Sequence, residues 1–597
     1  MRKDIRARLR EGPLLFDGSM GTYFASLPGR AGERCEEACL TAPEVISSIH
    51  RAYLEAGAQA LKTNTFSLGA DFAEGREDSA RAIIQAACRL ALDAAGEEAY
   101  VFADIGPAPE GQPLSRGENY IRQAECFLSQ GVRCFLAETL PSAEGLLDLA
   151  RYLKSRDPES FLLTSFAVST DGSTREGESG RELFRWASGV PEIDAAGFNC
   201  MSGPHHLLSY IQTLDLRDAP PLSVMPIAGY PTVLGRRTVY QGTPDYFGGK
   251  LREIVRAGAA IVGGCCGAAP EHIAAAAKAL EGLPQGGAAH TPPPAGKLPP
   301  RPAANPLAEK LDRGERVIAV ELDPPADDEA DFFFEGVRAL KRAGADAVTI
   351  ADCPVGRPRA DSSLLACKIK RELGVEPLPH MTCRDRNLNA AKALLLGLSI
   401  EGVHNVLLVT GDPIPSQDRD EVKSVFNFNS RKLARYVEAL NRETLRIPFR
   451  IFAALNLNAR NFDMQLRIAR EKEACGVSGF LTQPVLSQRA LDNLRAARGA
   501  LRGKILGGIY PVVSYKNACF LNNEIAGMSI DPDLIALYQG KDREEAEDLA
   551  VRVSHQAAGA MEPYTDGLYL MTPFKRVALI TRILEGLRSP ASTGCRP

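Results

Sequence analysis

A short unit recurs along the chain: an amphipathic run at helical spacing, a glycine, then an apolar run of strand length that closes on polar residues. Residues 52–66 (AYLEAGAQALKTNTF), 127–139 (FLSQGVRCFLAET) and 254–267 (IVRAGAAIVGGCCG) carry it in the first half. Residues 338–353 (RALKRAGADAVTIADC) and 472–485 (KEACGVSGFLTQPV) carry it in the second. Glycine is the usual residue where a helix stops in a left-handed turn, and helix alternating with strand predicts a parallel sheet.

One stretch breaks the pattern. Residues 284–306 read PQGGAAHTPPPAGKLPPRPAANP, which is poor in the large apolar residues a core needs and predicts a semi-extended linker. It separates residues 1–283 from 307–597, each near the ~250 residues of a (β/α)8 barrel. A doubly wound sheet shares the alternation, but no G-x-G-x-x-G follows a first strand. The expectation is therefore an α/β protein of two (β/α)8 TIM barrels joined by a Pro/Gly/Ala-rich linker. Polar residues that end barrel strands converge on one mouth, so Thr63-Asn64-Thr65, Glu138-Thr139, Asn199-Cys200 and Cys265-Cys266 are expected to meet.

Composition narrows the class. The 597 residues are 45% hydrophobic and 24% charged, with a net charge of −4. That balance gives no reason to expect nucleic acid or an anionic membrane as partner. No apolar run reaches the roughly 20 residues of a membrane span, and the charged N-terminus does not resemble a signal peptide. The 14 cysteines form no small-domain disulfide framework and are expected to be reduced, in a cytoplasmic protein.

Two of those cysteines are adjacent, in Gly263-Gly264-Cys265-Cys266-Gly267. Neighbouring strand residues point to opposite faces, so both thiols can aim at one point only where glycines let the chain bend. With Cys200 they suggest three thiolates around one zinc, the fourth position left for substrate. A plain buried pair and a vicinal disulfide remain open on spacing alone.

The stretches Asp17-Gly18-Ser19-Met20-Gly21-Thr22, Lys62-Thr63-Asn64-Thr65-Phe66, Glu138-Thr139, Gly197-Phe198-Asn199-Cys200 and Gly263–Gly267 resemble, in order, those of the homocysteine S-methyltransferase family. The resemblance covers about residues 10–280. It implies Zn2+ on Cys200, Cys265 and Cys266, and homocysteine contacts from Asp17, Asn64 and Glu138, with Asp17 and Glu138 on the amino group. Without the family, Asp17 reads equally as a turn residue and Glu138 as a solvated strand end. In one departure, Ile227 stands where related chains carry an asparagine that can cap the metal. A water or a neighbour such as Tyr230 would then have to serve.

In the second half Glu321, Asp352, His380, Asp412 and Gln483 fall at polar strand ends. The motifs Val320–Pro325, His380–Cys383, Val409–Asp412, Leu481–Pro484 and Gly508–Pro511 together resemble methylenetetrahydrofolate reductase over about residues 305–590. That family is a TIM barrel that binds FAD without a Rossmann motif. The resemblance implies Glu321 as the acid that protonates the folate and Asp412 as a catalytic residue beside flavin and folate. It implies Asp352, His380, Thr382 and Lys472 as further flavin contacts, and Gln483 on the folate. FAD is expected in preference to FMN, with NAD(P)H or a protein as electron donor. Asp323 departs from the family's aromatic, and Gln465, Ile468 and Glu471 replace other flavin-contacting side chains.

Together the halves imply a bifunctional one-carbon enzyme that makes methionine and 5-methyltetrahydrofolate. Direct transfer between them is chemically disfavoured, because a tertiary amine is a poor leaving group. The chain has no D-x-H-x-x-G cobalamin signature, so the methyl donor is expected to be an external corrinoid protein or a sulfonium. The alternative is a reductase whose N-terminal barrel only binds homocysteine, regulates or docks a partner. A homo-oligomer stays open.

Overall fold

The computed structural model describes residues 3–109, 114–234, 237–283, 305–414, 423–525 and 527–588. The chain divides into two compact units, Met1–Gly296 and Lys297–Pro597. Most of the expected linker lies outside the described residues.

Among the described residues of the first unit there are ten strands: β1 (Leu14–Leu15), β2 (Ala60–Lys62), β3 (Tyr100–Ile105), β4 (Cys134–Leu140), β5 (Phe161–Phe166), β6 (Ala195–Asn199), β7 (Leu222–Met225), β8 (Pro231–Leu234), β9 (Arg237–Tyr240) and β10 (Ala259–Val262). Eight of them form a parallel sheet in the order β1-β10-β7-β6-β5-β4-β3-β2, and the single parallel bridge Phe16–Ala60 joins its two ends. The antiparallel hairpin β8–β9 stands apart from that wall.

The second unit is a closed parallel barrel. Its strands are β11 (Val317–Glu321), β12 (Ala347–Ile350), β13 (Pro377–Thr382), β14 (Asn405–Val409), β15 (Arg450–Leu455), β16 (Gly479–Pro484), β17 (Lys504–Ile509) and β18 (Gly567–Met571). Both (β/α)8 barrels thus follow from the repeated unit that the sequence displays.

Alternation along the strands sorts the side chains. Leu14, Phe16, Phe102, Phe161, Leu163 and Ile261 fill the first barrel, while their neighbours such as Leu15, Val101 and Leu162 pack outward on the helices. Each barrel is also floored by a short helix that precedes its first strand. Ile5 and Leu9 of helix Ile5–Leu9 join the first interior cluster, and Leu307 and Leu311 of helix Pro306–Asp312 join the second. Polar bonds hold these floors at the strand starts: Arg6 binds Asp194 at 2.7 Å, and Asn305 binds Asn405 at 3.0 Å.

Candidate functional site

The alternation that fills the first barrel also builds its mouth. Lys62, Asp104, Glu138 and Asn199 each lie on the inward row, two residues beyond Ala60, Phe102, Leu136 and Gly197. The last layer of a barrel interior faces the mouth, and here it is polar yet buried. Lys62 and Glu138 are each 6% exposed, and Asp104 is 4% exposed.

Three carboxylates surround one cation there. The Lys62 ammonium lies 3.7 Å from Asp17 and donates to the carbonyl of Gly264 at 3.3 Å. Burial raises Asp17 to about 7 even with Lys62 beside it. Burial lifts Asp104 well above the carboxylate range, and it also raises Glu138, with Lys62 opposing in each case. Burial works against the charge of Lys62, but Glu138, Asp17, Cys265 and Asp104 outweigh it and raise its pKa. One oxygen each of Asp17 and Asp104 has no hydrogen-bond partner. Unmet buried acceptors of this kind suit an incoming ammonium. Glu138 is therefore no solvated strand end, and Asp17 is more than a turn residue.

Beside them lie the three thiols, and the backbone explains how they meet. Cys200 and Met201 both take left-handed conformations (φ 60° and 50°), which swing the chain off the end of β6. After β10, Gly264 lets the chain turn where a side chain cannot fit, since a Cβ there would stand 2.3 Å from that of Ala268. The sulfurs of Cys200, Cys265 and Cys266 fall within 4.8 Å of one another, with Cys200 and Cys266 3.8 Å apart. All three are free thiols, which removes the vicinal disulfide. Hydrogen bonds from Cys200 and Cys265 hold Cys266 down, to about 3. A set of three soft donors at this spacing fits a thiophilic ion.

Asn199 ties the two clusters together. Its amide donates to Glu138 at 3.0 Å and to Thr139 at 2.8 Å, and lies 3.9 Å from the Cys265 sulfur. Asn64 is spent differently: its amide donates to the Cys35 carbonyl at 2.6 Å and faces the Cys39 sulfur at 3.4 Å. It therefore fixes Cys35 and the short helix Ala38–Thr41 that carries Cys39. Ile227 is buried, and the Tyr230 hydroxyl pairs with His206 Nδ1 at 2.8 Å. The structure so engages Tyr230 away from the thiols.

In the second barrel Glu321 ends the inward row Val317, Ala319, Glu321. The Tyr569 phenol donates to its carboxylate, and His380 Nε2 stands 3.7 Å away. Burial and then Asp323 raise Glu321 to about 7, while burial lowers His380 to about 4 and leaves its Nε2 without a hydrogen bond. Asp352 accepts from the Thr382 amide and hydroxyl, both at 2.9 Å, and from Arg386 at 2.5 Å. The Asp412 carbonyl accepts from Arg384 at 2.7 Å, beyond the end of β14. Lys472 donates to the Ala454 carbonyl at 3.0 Å, and burial lowers it to about 8. Gln483, next to last in β16, and Asn456 both approach Gly527. The unpartnered His380 Nε2 and the buried, unpartnered Asn458 Oδ1 fit a bound polar cofactor.

Sequence reasoning placed Asn199 at the mouth but passed over Lys62, Asp104 and Tyr569 as functional positions. These three sit two residues beyond an inward residue, so the alternation carried the signal.

Comparison with known proteins now adds to the geometry. Residues 14–280 match the family model for homocysteine S-methyltransferase, and residues 307–588 match that for methylenetetrahydrofolate reductase. The methionine synthase of Mycobacterium tuberculosis (strain ATCC 25618 / H37Rv) is 31% identical over 307 residues, covering 47% of this chain and 26% of that protein. That of Mycobacterium leprae (strain TN) is 30% identical over 304 residues, covering 46% and 25%. The chain thus spans about a quarter of the length of these curated relatives. The metallated homocysteine methyltransferase MmuM from Escherichia coli is a similar solved structure at 24% identity, covering 46% of this chain and 99% of that one, with a TM-score of 0.38. No helix among the described residues is long and apolar enough to cross a membrane. The first barrel is thus similar to the homocysteine S-methyltransferase family over residues 14–280, and the second to the methylenetetrahydrofolate reductase family over residues 307–588.

Proposed function

We propose that the N-terminal barrel methylates homocysteine to methionine at a zinc ion, and that the C-terminal barrel reduces 5,10-methylenetetrahydrofolate to 5-methyltetrahydrofolate with FAD and NAD(P)H. The observation that carries the first half is the three-thiol cluster beside three buried carboxylates at one mouth. Cys200, Cys265 and Cys266 would hold the zinc, which when bound lowers the pKa of an acceptor thiol and keeps it nucleophilic. Asp17 and Glu138 would receive the substrate ammonium, aided by the Asp17 oxygen that faces Lys62 but makes no hydrogen bond. Asn199 holds Glu138 in place through its amide.

In the second barrel Asp352, His380, Thr382, Asp412 and Lys472 would line the flavin, which when bound carries a hydride from the nicotinamide to the folate. Glu321 would hold the proton that opens the methylene bridge, because its raised pKa keeps it protonated near neutrality. Gln483 would position the folate. The methyl donor to homocysteine would be an external corrinoid protein or a sulfonium, and the working compartment the cytoplasm.

Zinc content and the visible spectrum of the purified protein test both sites, followed by a screen of methyl donors with homocysteine. Near-stoichiometric zinc, a flavin spectrum and methionine formation are expected. Zinc binding with no methionine from any donor would favour a homocysteine-binding module. Lack of flavin would remove the reductase mechanism.

A further inference from the structure

The hairpin β8–β9 follows β7 and belongs to neither the barrel wall nor the helical layer. Its last residue, Tyr240, returns to the mouth. The aromatic ring lies against Gly267, where a Cβ would stand 2.3 Å from Cγ and 2.4 Å from Cβ of the tyrosine. Gly267 sits directly after Cys266, takes a left-handed conformation (φ 80°), and is held by the Thr22 hydroxyl at 2.9 Å. The chain leaving the hairpin is fixed as well. The Gly242 amide donates to the Ala228 carbonyl at 3.0 Å, and His272 Nε2 donates to the Gly242 carbonyl at 2.9 Å. From this anchored position, against the residue that follows Cys266, the Tyr240 phenol interacts electrostatically with the Cys266 sulfur.

Three thiolates leave a tetrahedral ion one donor short. The other side chains near the cluster do not supply it. Ile227 offers only hydrocarbon, Tyr230 is paired with His206 and 46% exposed, and the Asn199 amide oxygen already accepts from the Thr139 N–H at 2.8 Å. We infer that the Tyr240 oxygen is the resident fourth ligand of the metal held by Cys200, Cys265 and Cys266, and that the acceptor thiol displaces it. This rests on the proposed three-cysteine metal site. It assigns to the hairpin outside the barrel wall a capping role for which Ile227 offers no donor.

The test uses the full-length protein loaded with Co2+, read by its visible spectrum and by chelator competition. Replacing Tyr240→Phe is expected to alter the ligand-field bands of the homocysteine-free protein and weaken metal binding roughly 10- to 100-fold. Added homocysteine then brings variant and parent to one common spectrum, because the tyrosine has left in both. Tyr240→Cys is expected to show a fourth thiolate charge-transfer contribution before homocysteine is added and no response afterwards. Tyr230→Phe leaves spectrum and affinity unchanged. The inference fails if Tyr240→Phe matches the parent in both readouts and Tyr240→Cys gains no new band. A parent that takes up no cobalt at the three thiols overturns the metal site itself, and the inference with it.

Discussion

The Tyr569 phenol donates its hydrogen bond to the Glu321 carboxylate, joining the last strand of the second barrel to its first across 248 residues of sequence. Closure of the barrel, which pairs Glu321 with Met571 in register, is what brings them together. The bond favours the ionised carboxylate, whereas burial and Asp323 oppose it and win, leaving the group near 7.

A proton donor at that value is loaded below pH 7 and empties above it. The rate of methylenetetrahydrofolate reduction by the pre-reduced protein should therefore fall as pH rises through about 7. Tyr569→Phe removes a contact that lowers the Glu321 pKa, so the alkaline limb should move to higher pH. Stopped-flow half-reactions across pH decide this, and an unmoved limb would detach Tyr569 from the acid.

Glu321→Gln keeps the shape and loses the acid. The folate half-reaction should slow by about 10²- to 10⁴-fold, the usual contribution of a positioned acid. Flavin reduction by NAD(P)H should stay within a few-fold of the parent. Equal loss in both halves would point to a disturbed flavin site instead.

At the thiol cluster, Cys266→Ala should abolish stoichiometric zinc binding, measured by atomic absorption. A ligand that binds only the folded chain stabilises it by mass action, about 4 kcal/mol at a thousandfold excess over Kd. Chelator should therefore lower the Tm of the first barrel in the parent and leave that of Cys266→Ala unmoved. A parent Tm indifferent to chelator would contradict the metal assignment.

Lys62→Met leaves Asp17, Asp104 and Glu138 buried without their common cation. Removing one partner from a buried ion cluster costs about 3–5 kcal/mol. The folded-state pKa values of these carboxylates are raised, so their neutral forms favour folding, and that benefit is lost as pH climbs through those values. The deficit should be larger at pH 8 than at pH 5 in urea titrations. A pH-independent deficit would mean that Lys62 acts by packing alone.

The two barrels and the cysteine trio were legible because they rest on local signals: repeated helix–glycine–strand units, and glycines flanking a cysteine pair. Other features depend on distant closure. Tyr569 reaches Glu321 only when β18 meets β11, and Tyr240 reaches Cys266 only because a hairpin folds back over the mouth. The left-handed turn at Cys200–Met201 left no mark in the sequence, since neither residue type prefers it. Asn64 shows a further limit. Its place in a recognisable motif suggested substrate, whereas its side chain amide is turned to the Cys35 carbonyl and to Cys39 in the helix Ala38–Thr41.

The short helices ahead of β1 and β11 bear on how such a chain can be assembled or divided. Each mouth stands on a floor laid by the residues just upstream of its own first strand. A break between residues 283 and 305 would separate no interior residue of either barrel from its cluster. Fusion or fission of the gene at this point is therefore neutral for both interiors, and two separately expressed pieces should each retain a complete barrel core.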